Sequence, residues 1–189
     1  MQSITSLLDS PIKGKTVWKV AVVCLLGLAV LVCAIRLYVI FSMRPPDERK
    51  IIEDFALHRS AYEHLRNMIL ADHQVDEVST KGIETSSSPL RRQPSEVNFP
   101  VSRYNEYVTL LNEIGRGAVF RMQEKESNLV CVVVWGAGWA GDTRHMWVCW
   151  ADRPPSNEVS SLDNYYRDPQ RQRNAFRRID GDWYLRADW

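Results

Sequence analysis

The chain has no basic excess, no long run of like charge and no second apolar stretch long enough to cross a bilayer. From Arg44 onward it keeps 20 of the 24 basic and 22 of the 23 acidic side chains. That near-neutral balance argues against nucleic-acid partners, which need a strong cationic surface, and nothing reads as a charged tail. Histidine is scarce: His58, His64, His73 and His145 are the only four. His58 and His64 stand on different helix faces without a carboxylate in a ligand pattern, so no metal site is expected. His145, Asp142 and Ser160 or Ser161 lack the sharp strand–turn–helix that presents a nucleophilic serine. The glycine-rich GAGWAG, Gly136–Gly141, is followed by a strand pattern and no Lys-Ser/Thr pair, so it fails the context of a phosphate loop. No cofactor and no enzymatic activity are expected.

What is present begins with one apolar run, Val20 to Met43, bracketed by Lys19 and interrupted by Arg36. Its uncharged part falls a little short of the ~30 Å hydrocarbon core. The long stems of Lys19 and Arg36 would close the gap by reaching the headgroups, with Trp18 and Tyr38 at the interfaces. Pro45-Pro46 ends the helix. The apolar character continues past Val32-Cys33-Ala34, which favours an uncleaved signal anchor over a removed signal peptide. Lys13, Lys15 and Lys19 precede the span, whereas Arg44, Arg49, Lys50 and Arg59 follow it. The expected orientation is a basic tail, residues 1–19, kept inside an inner membrane with the domain at 47–189 exported to the periplasm.

Within that domain, Asp47 to His73 reads as one helix, capped by Asp47 and carrying Ile51, Ile52, Phe55, Tyr62, Leu65 and Ile69 on one stripe. Val75–Val78 is a short strand candidate, and the polar Ser/Thr/Pro-rich stretch 79–100 reads as a mobile loop. A second helix starts at Ser102, presents Tyr104, Tyr107, Leu111 and Ile114 on one face and stops at Gly115. Strand patterns follow at Ala118–Gln123, Leu129–Trp135, Arg144–Ala151, Phe176–Ile179 and Trp183–Leu185, the last two flanking Asp180-Gly181-Asp182. The predicted fold class is α+β: a transmembrane helix, then two helices on an antiparallel sheet of four or five strands.

Cys131 and Cys149 are the two cysteines outside the apolar run. A hairpin that sets Cys131 opposite Cys149 also sets Val133 opposite Trp147 and Trp135 opposite His145, and would allow a disulfide outside the cytosol. Six of the seven tryptophans lie between Trp135 and Trp189. At strand spacing, Trp135, Trp147, Trp150 and Trp183 build core between sheet and helices, or line a groove. Trp139, at the tip of the GAGWAG loop, is a candidate contact for a partner or for headgroups.

The ending FRRIDGDWYLRADW and the helix around HRSAYEHLRNMILAD resemble small proteobacterial envelope proteins that close on an I-x-G-x-W-Y-L hairpin. The likeness covers roughly residues 48–189 and implies an exported domain without assigning any residue a role. Together these readings lead to the expectation of a membrane-tethered interaction or scaffold module, partnered with the membrane and another envelope protein. The alternative is a periplasmic small-ligand-binding domain with an aromatic-lined pocket between sheet and helix.

Overall fold

The computed structural model describes residues 14–139, 142–170 and 173–188, which divide into two units, one up to Arg44 and one from Pro45 onward. In the first unit, α1 (Gly14–Ser42) is a single helix. Its 29 residues extend for about 43 Å at 1.5 Å each. The stretch Ala21–Val39 is long and apolar enough to cross a membrane, and it carries Cys24 and Cys33 as exposed thiols.

In the second unit, Asp47 caps α2 (Glu48–Leu57) by accepting the Arg49 amide at 2.9 Å, which satisfies one of the first-turn donors left without a partner. The apolar stripe predicts one helix to His73, but the chain breaks at His58 and resumes as α3 (Arg59–Ala71). The His58 amide and its imidazole Nδ1 both approach the Asp54 carbonyl, at 3.1 and 3.0 Å. A side chain engaged in the ladder is one of the few causes of a sharp helix break.

The largest correction falls at 79–100. In place of a mobile loop, the chain forms β1 (Glu77–Ser79), β2 (Gly82–Thr85) and β3 (Ser88–Arg92), then a 3-10 turn at Pro94–Val97. Few of these side chains enter the core, which is why the composition looks like a loop. The strands are held instead by backbone pairing, with β1 antiparallel to both β2 and β4. Gly82 has φ +141°, and a Cβ there would lie 2.6 Å from the Arg92 carbonyl oxygen, so the close pairing of β2 with β3 depends on glycine.

After α4 (Val101–Glu113) come β4 (Ala118–Glu124), β5 (Ser127–Trp139), β6 (Asp142–Ala151), α5 (Leu162–Arg167), β7 (Asn174–Asp180) and β8 (Trp183–Asp188). Gly115, at φ +63°, ends α4. Its amide bonds to Asn112 and the next amide, of Arg116, reaches back to Leu111, the double bond of a Schellman close. Among the described residues the sheet therefore has eight strands, all antiparallel and ordered β3-β2-β1-β4-β5-β6-β8-β7. The expectation of two helices on four or five strands is overturned: the described residues form five α-helices, counting α1.

The β5–β6 register follows the expected pairing at Cys131–Cys149 and Val133–Trp147, then slips by one residue between Val133 and Trp135, so that Trp135 faces Met146 and Gly136 faces His145. The slip is a β-bulge, one extra residue on β5. GAGWAG is accordingly strand up to Trp139, and only Ala140 and Gly141 of the six lie outside the described residues. Helices α2, α3 and α4 cover one face of the sheet, burying Phe55, Tyr62 and Leu65 against Val119, Val130, Val148 and Leu185. Trp183 joins that core, with ring centroids 5.2 Å from Phe55 and 6.1 Å from Tyr62.

Candidate functional site

The opposite face of the sheet buries a second cluster, built from Leu129, Cys131, Trp147, Cys149, Phe176 and Tyr184. No helix is needed to cover it, because the sheet rolls upon itself. Arg186 on β8 and Glu124 on β4 are three strands apart, about 14 Å across a flat sheet, yet their side chains meet at 2.9 Å. Asn174, on the edge strand β7, reaches Glu124 at 3.5 Å from four strands away. Curvature of this kind turns the second face into a cup.

Alternation along the strands lays the cup out in rows. Phe120, Cys131, Cys149 and Tyr184 form one row, with the two cysteines directly opposed and joined as a disulfide. Trp147, Arg186 and Phe176 form another, the guanidinium lying 4.6 Å from the Trp147 ring centre and 5.6 Å from that of Phe176. Arg186 is 5% exposed, and its burial lowers its pKa from the usual arginine value. The charge is held by Glu124, by the two aromatic faces and by the Met122 sulfur at 3.0 Å. Glu124 Oε2 takes the Arg186 guanidinium, whereas two other buried atoms here, Arg186 Nε and Asn174 Oδ1, have no hydrogen-bond partner, a state that buried polar groups rarely keep.

Two cavities open at this end of the sheet and share Leu129 in their walls. One, of about 330 Å³, is the mouth of the cup, lined by Glu124, Lys125, Leu129, Arg153, Pro155 and Phe176. The other, of about 610 Å³, lies on the helix-covered side, between the end of α3 and strands β4, β5 and β6. Leu70, Val130 and Trp150 give it an apolar floor, and His73, Gln123 and Asp152 surround it with polar groups. Arg66 lies over the Trp150 ring at 5.4 Å. Arg121 sets one wall: its guanidinium donates to the carbonyls of His73 and Val75, at 2.9 and 2.5 Å, and ties the α3–β1 link to β4. Asp152 accepts the Asn128 amide and its side-chain nitrogen at 2.8 and 2.7 Å. Those bonds, the side-chain one first, lower its pKa from the ordinary aspartate value.

Cys131 and Cys149 thus sit at the bottom of the cup. The backbone of Trp139 pairs with Asp142 at the end of the β5–β6 hairpin, while its side chain lies outside the described residues. The tryptophans divide between the faces: Trp183, Trp135 and Trp150 on the helix side, Trp147 in the cup. Ser161 Oγ donates to Glu48 and caps α5 by accepting the Asn164 amide, so it is occupied structurally. Among the described residues no three metal-ligating side chains gather. Sequence reasoning missed Arg186 and Glu124. Arg186 stands at the same strand parity as Tyr184, and a charge in that position of a terminal hairpin reads as solvent-facing. No known protein family, curated protein or solved structure matches this sequence.

Proposed function

We propose that this is a single-span envelope protein, N-terminus inside, whose exported domain binds a small ligand in the cleft between α3 and β4–β6. The carrying observation is the cleft itself. Its volume of about 610 Å³ falls in the ~300–1,000 Å³ range of small-molecule sites, and it combines the apolar floor and few polar groups such sites have. The disulfide supports export, because such bonds persist outside the reducing cytosol. The envelope-type ending of the sequence supports it as well.

An interaction module is the competing reading, and it has lost one of its surfaces. Segment 79–100 is sheet and not a free loop. The large exposed apolar side chains described in the domain are Leu57, Leu90 and Val101, scattered over α2, β3 and α4, whereas docking sites present contiguous patches.

Two measurements test the proposal. Reporters fused after Trp189 and active only in the periplasm or only in the cytosol read the orientation, and cytosolic activity would overturn export. A thermal-shift screen of the full-length protein in nanodiscs reads binding: a ligand at a hundred times its Kd adds about 2.7 kcal/mol of stability. That shift should vanish in Trp150→Ala with the protein still folded. A broad panel without a single hit, alongside a specific partner recovered by crosslinking, would replace ligand binding by the interaction reading.

A further inference from the structure

The β5–β6 hairpin outruns its neighbours. Strand β4 pairs with β5 only as far as Val132, and β8 pairs with β6 only as far as His145. Beyond them, residues 136–139 of β5 pair with β6 alone among the described residues. The other edges carry devices that discourage strand addition. β3 has Pro89, Arg91 and Arg92. β7 has Arg177 and Arg178 and is bridged at Phe176 by Glu158. The β6 side of the arm has Asp142 and Arg144. Its β5 side, Gly136, Ala137, Gly138 and Trp139, has neither a charge nor a proline.

A cavity of about 390 Å³ lies where β4 starts and the β5 edge runs on. Val133 and Val134 line it from β5, Gly117 and Ala118 from the start of β4, and Lys81 from the β1–β2 turn. The Thr80 amide donates to the Gly117 carbonyl at 3.0 Å, which sets that turn beside the start of β4. The walls hold one sign of charge: Lys81, Arg91 and Arg116 line the cavity and no carboxylate does. Arg91 is spent on Glu77 and Glu84, and Arg116 on Asp54. Lys81 is exposed, and among the described residues no carboxylate lies within ion-pair reach of it.

A free strand edge and an uncommitted cation at its end fit one kind of ligand. An extended chain added to an edge takes its affinity from main-chain hydrogen bonds, so it needs no apolar patch. On the line of β4 such a chain can run in two directions. Running as β4 does, antiparallel to β5, it ends against Gly117 and brings its terminal carboxylate to Lys81. Running the other way, it would set a terminal ammonium among three cations, and like charges brought together oppose binding. We infer that the free edge of β5 binds the C-terminal segment of an extended peptide, with the peptide's α-carboxylate paired to Lys81. The site is separate from the α3 cleft and does not depend on what that cleft binds.

The test selects from a random heptapeptide library with free C-termini, using the full-length protein in phosphatidylcholine nanodiscs, and measures the selected sequences by fluorescence anisotropy. Saturable binding is expected, about tenfold weaker when the C-terminus is amidated, the effect of losing one charge-assisted hydrogen bond. Lys81→Ala should weaken binding equally and remove the effect of amidation, whereas Lys81→Arg should retain both. N-methylation of one alternate set of peptide amides should abolish binding and that of the other set should not, as strand pairing requires. Trp150→Ala, in the α3 cleft, should change nothing. Failure to select any peptide overturns the inference, as does binding indifferent to amidation or to both N-methylated sets. Binding lost in Trp150→Ala but retained in Lys81→Ala also overturns it, by moving the peptide to the α3 cleft; circular dichroism of each variant excludes misfolding as the cause.

Discussion

Arg186 and Glu124 meet at 2.9 Å although two strands, β5 and β6, separate theirs in the sheet. The contact records the roll of the sheet more directly than any backbone feature, and it places a buried cation between Trp147 and Phe176. Because the pair lies in the cup, each partner depends on the other to avoid an uncompensated charge away from water.

Removing one partner should therefore cost more than removing both. Glu124→Leu alone is expected to destabilise the protein by roughly 3 kcal/mol, since it strands the Arg186 charge. Adding Arg186→Met should recover part of that loss. Urea titrations of the two variants check it, and a double variant less stable than the single would count against the pair as described.

The disulfide predicts a labelling pattern. In denaturant without reductant an alkylating reagent should add to two thiols, Cys24 and Cys33; with reductant as well it should add to four. Cys131 and Cys149 are fully buried, so reductant without denaturant should leave both unlabelled. Replacing both by alanine should cost about 3 kcal/mol, as expected for a closed loop of this length. Four reactive thiols in the untreated native protein would contradict the bond.

Stability should fall on the alkaline side. Burial raises the pKa of Tyr62, Tyr104 and Tyr184, and pushes Tyr107 far above the tyrosine range, where the Asp72 carboxylate accepting its hydroxyl at 2.8 Å adds to the effect. The folded state thus keeps protons that the unfolded chain releases at about pH 10. The stabilisation is complete below that pH and is lost as pH rises beyond it. Urea midpoints should decline above about pH 10, and less steeply in Tyr107→Phe. A flat profile would refute the buried protonated tyrosines.

Glu48 offers a test of how the start of α2 is held. It is 6% exposed and accepts from Ser161 Oγ at 2.8 Å, the Leu162 amide at 2.7 Å and the Arg177 guanidinium at 2.7 Å. Glu48→Ala should cost roughly 3 kcal/mol and speed hydrogen exchange at the Leu162 amide. If that exchange rate stays unchanged, the contact is not what orders α5.

Local patterning carried much of the fold into view. Residue spacing locates β4 through β8, the Asp180-Gly181-Asp182 turn and the Gly115 stop, because each depends on neighbours a few residues away. The opposition of Cys131 and Cys149 is legible for the same reason: a hairpin ties its register to alternation along two adjacent strands. Strand β1 was legible in part, as the candidate Val75–Val78, but β2 and β3 escaped, since their side chains contribute little core and their pairing, β2 to β1 and β3 to β2, is a backbone property. The break at His58 escaped because the apolar stripe runs across it almost without interruption.

By itself, then, the sequence determined the apolar helix, read as Val20 to Met43, the antiparallel strand periodicity and the residues able to face each other across one hairpin. These follow from segment length, alternation and turn chemistry. Only the tertiary structure decided that the sheet has eight strands and rolls into a cup, which brings Glu124, Asn174 and Arg186 together from β4, β7 and β8. Curvature sums the twist of every strand and the bulge at Val133–Trp135, and no segment of the chain encodes that sum alone.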